Sequence, residues 1–189
     1  MQGNRTLIIV NNPGLTPANR QELMNELRQV GLKIINVRIA SDHIEIDLYI
    51  NDMTIEKIKS LGFIIRELIS INKENEDKVL NEENAAMTYV RLFNEERFWE
   101  AHEALERIWH KSKDEGIRGL IILAAAFVKI QENNPEAFRR LIIRARELIT
   151  SNEIPWINKE NLLRKIDSAL TTMKSFKIEE QDLRPIQKT

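Results

Sequence analysis

Residues Leu92 to Trp109 read LFNEERFWEAHEALERIW. Two tryptophans, a histidine and several carboxylates fall on what the spacing predicts to be one helix. At about 100° per residue, Phe98, Ala101, Leu105, Ile108 and Trp109 share one stripe, the predicted buried face. His102 lies on the edge of that stripe beside Trp109. Glu106 and Trp99 come next around the wheel, then His110 and Glu103, while Glu96, Glu100 and Arg107 point to the far side. His102, Glu106 and His110 follow one another at intervals of four and form a row along the helix. Asn94, with Glu95 and Glu96 behind it, is the expected N-cap, and the corner between two helices is expected at Phe93-Asn94.

The helical pattern extends in both directions. Asn81 followed by Glu82 and Glu83 opens a helix running to about Phe93. Gly119 to Val128, GLIILAAAFV, is apolar all round, which predicts a helix surrounded by others; Gly119 and Ala124-Ala125-Ala126 permit close approach by neighbours. Asn133-Asn134-Pro135 breaks the chain and starts a helix with the buried stripe Phe138, Leu141, Ile142, Ala145, Leu148 and Ile149. Pro155 marks a turn, and Asn158 caps a last amphipathic helix through Leu162, Leu163, Ile166, Leu170 and Met173. Five helices with short connections predict an all-α bundle. Beyond it Phe176, Ile178, Leu183 and Ile186 are placed to strap a polar tail onto the surface.

The first seventy residues have a different period. Leu7 to Val10 is a short β-type run closed by Asn11-Asn12-Pro13-Gly14. Thr16-Pro17 opens a helix carrying Leu23, Met24, Leu27 and Val30, and Gly31 ends it. Ile34 to Ile39 is a second strand. In the third, Ile44, Ile46, Leu48 and Ile50 alternate with His43, Glu45, Asp47 and Tyr49, the pattern of one buried and one wet face. That reading makes His43 a solvent-face residue. Thr54 is the expected cap of a helix through Ile55 and Ile58, Gly62 stops it, and Phe63 to Ile69 is the fourth strand. The order β-α-β-β-α-β resembles a ferredoxin-like split βαβ arrangement.

The expected class is therefore α+β: a ferredoxin-like domain over 1–71, a charge-dense linker over 72–80, an all-α bundle of about five helices over 81–175 and a tail over 176–189. Several functions are excluded by composition. With no cysteine, thiolate catalysis, disulfides and cysteine-ligated clusters are ruled out, and a reducing cytoplasm is the expected setting; avoiding cysteine also suits a thermophilic source. A net charge of −1 argues against nucleic acid and anionic membrane as partners. Tyr49 is the only aromatic expected in the central strands, too few for an RNA-stacking sheet. No signal peptide is visible, and the longest apolar run, Leu120 to Val128, is too short to span a bilayer, so a soluble protein without membrane partners is expected.

Chemistry concentrates around Trp99, His102, Glu103, Glu106 and Trp109. Three readings are open. In the first, His102 and Glu106 belong to a buried polar network completed by an arginine from Arg139, Arg140, Arg144 or Arg146. In the second, the residues line a polar pocket of a non-catalytic binding or assembly protein, with a small-molecule ligand, no cofactor and a homo-oligomeric state, the sheet face serving as a dimer surface. In the third, His102 and Glu106 hold a divalent transition metal, or act with Glu103 as acid and base in a hydrolase-like enzyme. The arginines from Arg139 to Arg146 are expected to pair with acids such as Glu136 and Glu147.

The residues Phe93-Asn94, Phe98-Trp99-Glu100-Ala101-His102-Glu103, Leu105-Glu106 and Trp109 resemble the signature of the domain of unknown function 309 family. Gly119-Leu120-Ile121 and Ala124-Ala125-Ala126 match its following apolar helix. The resemblance covers roughly Ala85 to Leu148 and implies a compact all-α bundle without an established activity. Where the family pattern often carries a histidine late in that second helix, this chain has Lys129.

Overall fold

The computed structural model describes residues 4–71 and 82–184. The expected linker, the Asn81 helix start and Ile186 of the tail lie outside the described residues. The chain divides into two compact units, one built on a sheet and the other on helices.

In the first unit the elements follow as β1 (Arg5–Asn11), α1 (Arg20–Gln29), β2 (Lys33–Ile39), β3 (His43–Tyr49), α2 (Thr54–Ser60) and β4 (Ile65–Ser70). The sheet order is β2-β3-β1-β4, and each neighbouring pair is antiparallel. One face carries the apolar core: Ile8 and Val10 of β1, Val37 and Ile39 of β2, and Ile44, Ile46 and Leu48 of β3 pack with Leu23, Met24 and Leu27 of α1 and Ile58 of α2. Gly31 and Gly62 close the two helices at φ of +79° and +87°, backbone that a Cβ would disfavour. Thr54 does not cap α2 as expected. It is the first helical residue, and its hydroxyl instead accepts from the Asn51 amide at 2.8 Å.

β3 departs from the expected wet face. Its inward residues are in the core, but His43, Glu45 and Asp47 are buried as well, at 3%, 0% and 1% exposure. Burial of these groups is tolerable because each is paired. Register sets Arg38 of β2 opposite Glu45, and Arg38 Nε donates to its carboxylate at 2.5 Å. Arg5 donates twice to Asp47, at 2.9 and 2.6 Å. His43 Nδ1 lies 2.7 Å from Asp42, and its Nε2 lies 3.7 Å from Glu45. Burial opposes ionisation of Glu45, but the Arg38 charge and hydrogen bond, with the nearby His43 ring, prevail, and its pKa falls below the ordinary range. Burial likewise opposes a charged His43; the neighbouring Glu45 carboxylate and the hydrogen bond to Asp42 prevail and raise its pKa.

The second unit contains α3 (Glu82–Asn94), α4 (Phe98–Ser112), α5 (Glu115–Gln131), α6 (Pro135–Ser151) and α7 (Lys159–Thr172). α5 is the central helix, with Leu120, Leu123, Ala124, Ala126 and Phe127 all buried. A Cβ at Gly119 would meet Ile149 Cγ1 at 2.8 Å, so α5 and α6 approach at this position because the side chain is missing. Asn134 caps α6 by accepting from the Ala137 amide at 3.0 Å, with Pro135 at the first helical position. Asn158 caps α7 from the Asn161 amide. Phe93, Phe98 and Phe127 form the aromatic centre, with Phe93 and Phe98 edge to face at 5.0 Å.

The corner between α3 and α4 differs from the expected one. α4 begins at Phe98 with Arg97 as its N-cap, and Asn94 is the last residue of α3. The Asn94 side chain is used elsewhere: its amide donates to the Ile178 carbonyl at 2.8 Å and its oxygen accepts from the Ile178 N–H at 2.7 Å. That clamp holds the tail segment in which Ile178 is buried and Phe176 and Leu183 pack against the helical core.

Candidate functional site

α4 is amphipathic, and its apolar stripe fixes where the polar residues go. Phe98, Ala101 and Leu105 are buried, and Ile108, Trp99 and Trp109 are partly buried against the same core. His102, Glu103 and Glu106 therefore emerge at the core boundary, with side chains 25%, 46% and 36% exposed.

These three side chains converge. His102 Nδ1 lies 3.3 Å from Glu103 Oε1 and 4.0 Å from Glu106 Oε2. One donor atom from each residue falls within 4.8 Å of the others. His110, one turn on, brings Nε2 to 3.9 Å from Glu106 Oε1, which extends the row toward solvent. Imidazole nitrogen with carboxylate oxygens suits zinc, iron or manganese.

The buried-network reading does not fit this geometry. The row is open to water, and none of the arginines of α6 reaches it. Arg144 pairs with Glu147 at 3.1 Å and Arg146 with Asp167 of α7 at 2.6 Å. Arg139 lies against Met173 Sδ at 3.7 Å. Among the described residues no arginine or lysine forms an ion pair with Glu103 or Glu106, and the rings of His102 and His110 lie within 4.0 Å of these carboxylates.

Trp109 has a cationic flank that the wheel did not show. Lys113 Nζ stands 4.6 Å from its ring centroid and the Arg118 guanidinium 5.5 Å, while the His110 ring lies 5.2 Å away. Lys113 follows Trp109 by one helical turn and is legible from spacing. Arg118 comes from α5, so its position depends on the corner at Lys113, whose φ is +55°.

Residues 87–141 match the family model described as Domain of unknown function (DUF309). That match falls within the helical unit. The matched region holds the whole of α4 and α5, and with them the His102, Glu103 and Glu106 cluster and both of its tryptophans. Neither the curated proteins nor the solved structures give a match. Among the described residues no helix is long and apolar enough to cross a membrane.

Proposed function

We propose that this chain is a non-catalytic binding protein whose helical unit takes a divalent transition-metal ion on the open face of α4. His102 supplies a ring nitrogen, and Glu103 and Glu106 each supply a carboxylate oxygen. The observation carrying this reading is the convergence of three donor atoms within 4.8 Å on side chains that make no ion pair with lysine or arginine among the described residues. A carboxylate paired with a guanidinium would have to lose that partner to ligate; these do not. The chemistry of the donors, one nitrogen and two oxygens, selects a transition ion over calcium, which takes oxygen ligands only. Three protein donors leave coordination positions open for a small-molecule ligand.

Calorimetric titration of chelator-treated protein with zinc, nickel and manganese tests the proposal. Saturable binding at one ion per chain is expected, lost in His102→Ala and reduced at least about tenfold in Glu106→Gln. Absence of binding, or binding that His102→Ala leaves intact, overturns it. A metal-dependent hydrolase on the same residues is distinguished by ester hydrolysis that appears only with the ion and vanishes in His102→Ala.

A further inference from the structure

The open edge of β4 reads the same from both ends. β4 is the outermost strand beside β1, and its other edge has no strand partner among the described residues. The segment Ile64-Ile65-Arg66-Glu67-Leu68-Ile69 runs apolar, apolar, basic, acidic, apolar, apolar. It also carries two of the most exposed large apolar side chains among the described residues, Ile64 at 67% and Leu68 at 50%. An open edge with exposed apolar residues is a site for pairing with another strand.

We propose that β4 pairs with β4 of a second copy of this chain, antiparallel, about a two-fold axis between Arg66 and Glu67. In that register Arg66 faces Glu67 of the second copy and Glu67 faces its Arg66. Ile65 faces Leu68, and Ile64 faces Ile69, each twice by symmetry. Opposite charges and apolar pairs directly across an antiparallel ladder are the favourable combinations, and like charges there are unfavourable.

The bulge in β4 makes this register possible. Residues facing one another across an antiparallel pair share a face of the sheet. In a regular strand Ile65 and Leu68 would point to opposite faces. Here Ile9 pairs with Glu67 and Val10 with Ile65, so Arg66 is an extra residue that resets the alternation. Ile65 then pairs with Val10 and Leu68 with Ile8, both members of the core beneath the helices. Glu67 pairs with Ile9 and Ile69 with Leu7, neither of which belongs to that core. Arg66 reaches Asp42 at 3.0 Å, and Asp42 is the partner of His43 on that second face. A guanidinium has donors enough to keep Asp42 and still meet a carboxylate across the edge. Arg66 and Glu67 therefore share one face and Ile65 and Leu68 the other, as a two-fold axis perpendicular to the sheet requires. Joined this way, the two sheets are continuous and all their helices lie on one side.

This pairing is independent of the α4 site. Sedimentation equilibrium of the full chain should show a dimer. Arg66→Glu and Glu67→Arg should each weaken it about tenfold or more, since each reversal creates two like-charge pairs. The doubly reversed chain, carrying both changes, should recover the dimer because the opposed charges are again complementary. A chain that stays monomeric to millimolar concentration overturns the proposal. So does a dimer indifferent to both single reversals, or a double reversal as weak as the singles. The absence of native cysteine gives a second measure: Ile64→Cys with Ile69→Cys should form disulfides between chains on mild oxidation, and failure to do so under conditions where the dimer forms also overturns it.

Discussion

Arg38 Nε donates to the Glu45 carboxylate at 2.5 Å across adjacent strands, with side-chain exposures of 3% and 0%. A buried pair of this kind owes its tolerance to both members being present. Arg38→Met alone leaves a carboxylate out of water without its cation and should destabilise the sheet unit by about 3–5 kcal/mol. Replacing both, as Arg38→Met with Glu45→Leu, should recover most of that loss. Denaturant midpoints of the single and double variants, followed by circular dichroism, measure the difference; equal losses would show that the ion pair is not the source.

The same cluster makes stability depend on pH. His43 has a raised pKa in the folded chain, its ordinary value being 6.5. Its contribution is fully present below that ordinary value and is lost as pH rises through the raised one. Glu45 has a lowered pKa against an ordinary 4.5, so its contribution is present above that value and lost as pH falls through the lowered one. Stability of the sheet should therefore be greatest between the two ordinary values and decline on the alkaline side, and His43→Gln should abolish the alkaline decline. Described tryptophans are confined to the helical unit, so amide exchange in β1 and β3 across pH is the suitable measure.

The elements themselves were legible because each has a clear period and marked ends. Alternation in β3 put Ile44, Ile46 and Leu48 in the core, and the wheel of α4 put Phe98, Ala101 and Leu105 there. The same wheel gave the His102, Glu106 and His110 row. Alternation shows which residues share a face; it does not show whether the second face is also covered, so it cannot distinguish buried His43, Glu45 and Asp47 from solvated ones. Asn94 ends α3 and does not open α4, for a related reason. Asparagine before two glutamates has the composition of a helix start, but its actual partner, Ile178, is far along the chain. The missing arginine partner of Glu106 is likewise a tertiary matter, since Arg146 meets Asp167 instead.

Asn94→Ala should loosen the tail without unfolding the bundle. It removes both hydrogen bonds to the Ile178 backbone, at about 1–3 kcal/mol for the buried groups left unsatisfied. Faster proteolysis between α7 and Leu183, with the helical signal of the remainder retained, is the expected result. Unchanged proteolysis would mean that the apolar contacts of Phe176, Ile178 and Leu183 hold the segment by themselves.

Gly119→Ala sets two effects against each other. Alanine in a helix interior gains about 1 kcal/mol over glycine. The new methyl, however, falls 2.8 Å from Ile149 Cγ1, 3.2 Å from Leu148 Cβ and 3.3 Å from the Ile149 backbone nitrogen. Backbone and a branched side chain yield poorly, and overpacking costs about 1–3 kcal/mol. A net loss in thermal stability is expected, and a larger one for Gly119→Val; a stabilised alanine variant would show that α5 and α6 can separate at little cost.

His102→Ala should separate ligand binding from folding. A buried network would lose several kcal/mol when its central residue is removed, because the remaining charges would be left unpaired. His102 is a quarter exposed, and its neighbours Glu103 and Glu106 are open to water, so hydration replaces the lost contacts. The unfolding midpoint of the metal-free protein should therefore stay within about 0.5 kcal/mol of the parent. With zinc present the parent should gain stability in proportion to the logarithm of ion concentration, and the variant should not. Denaturation curves with and without the ion supply all four values. Large destabilisation of the metal-free variant would make the row part of the scaffold, whereas an ion-dependent gain confined to the parent assigns it to binding.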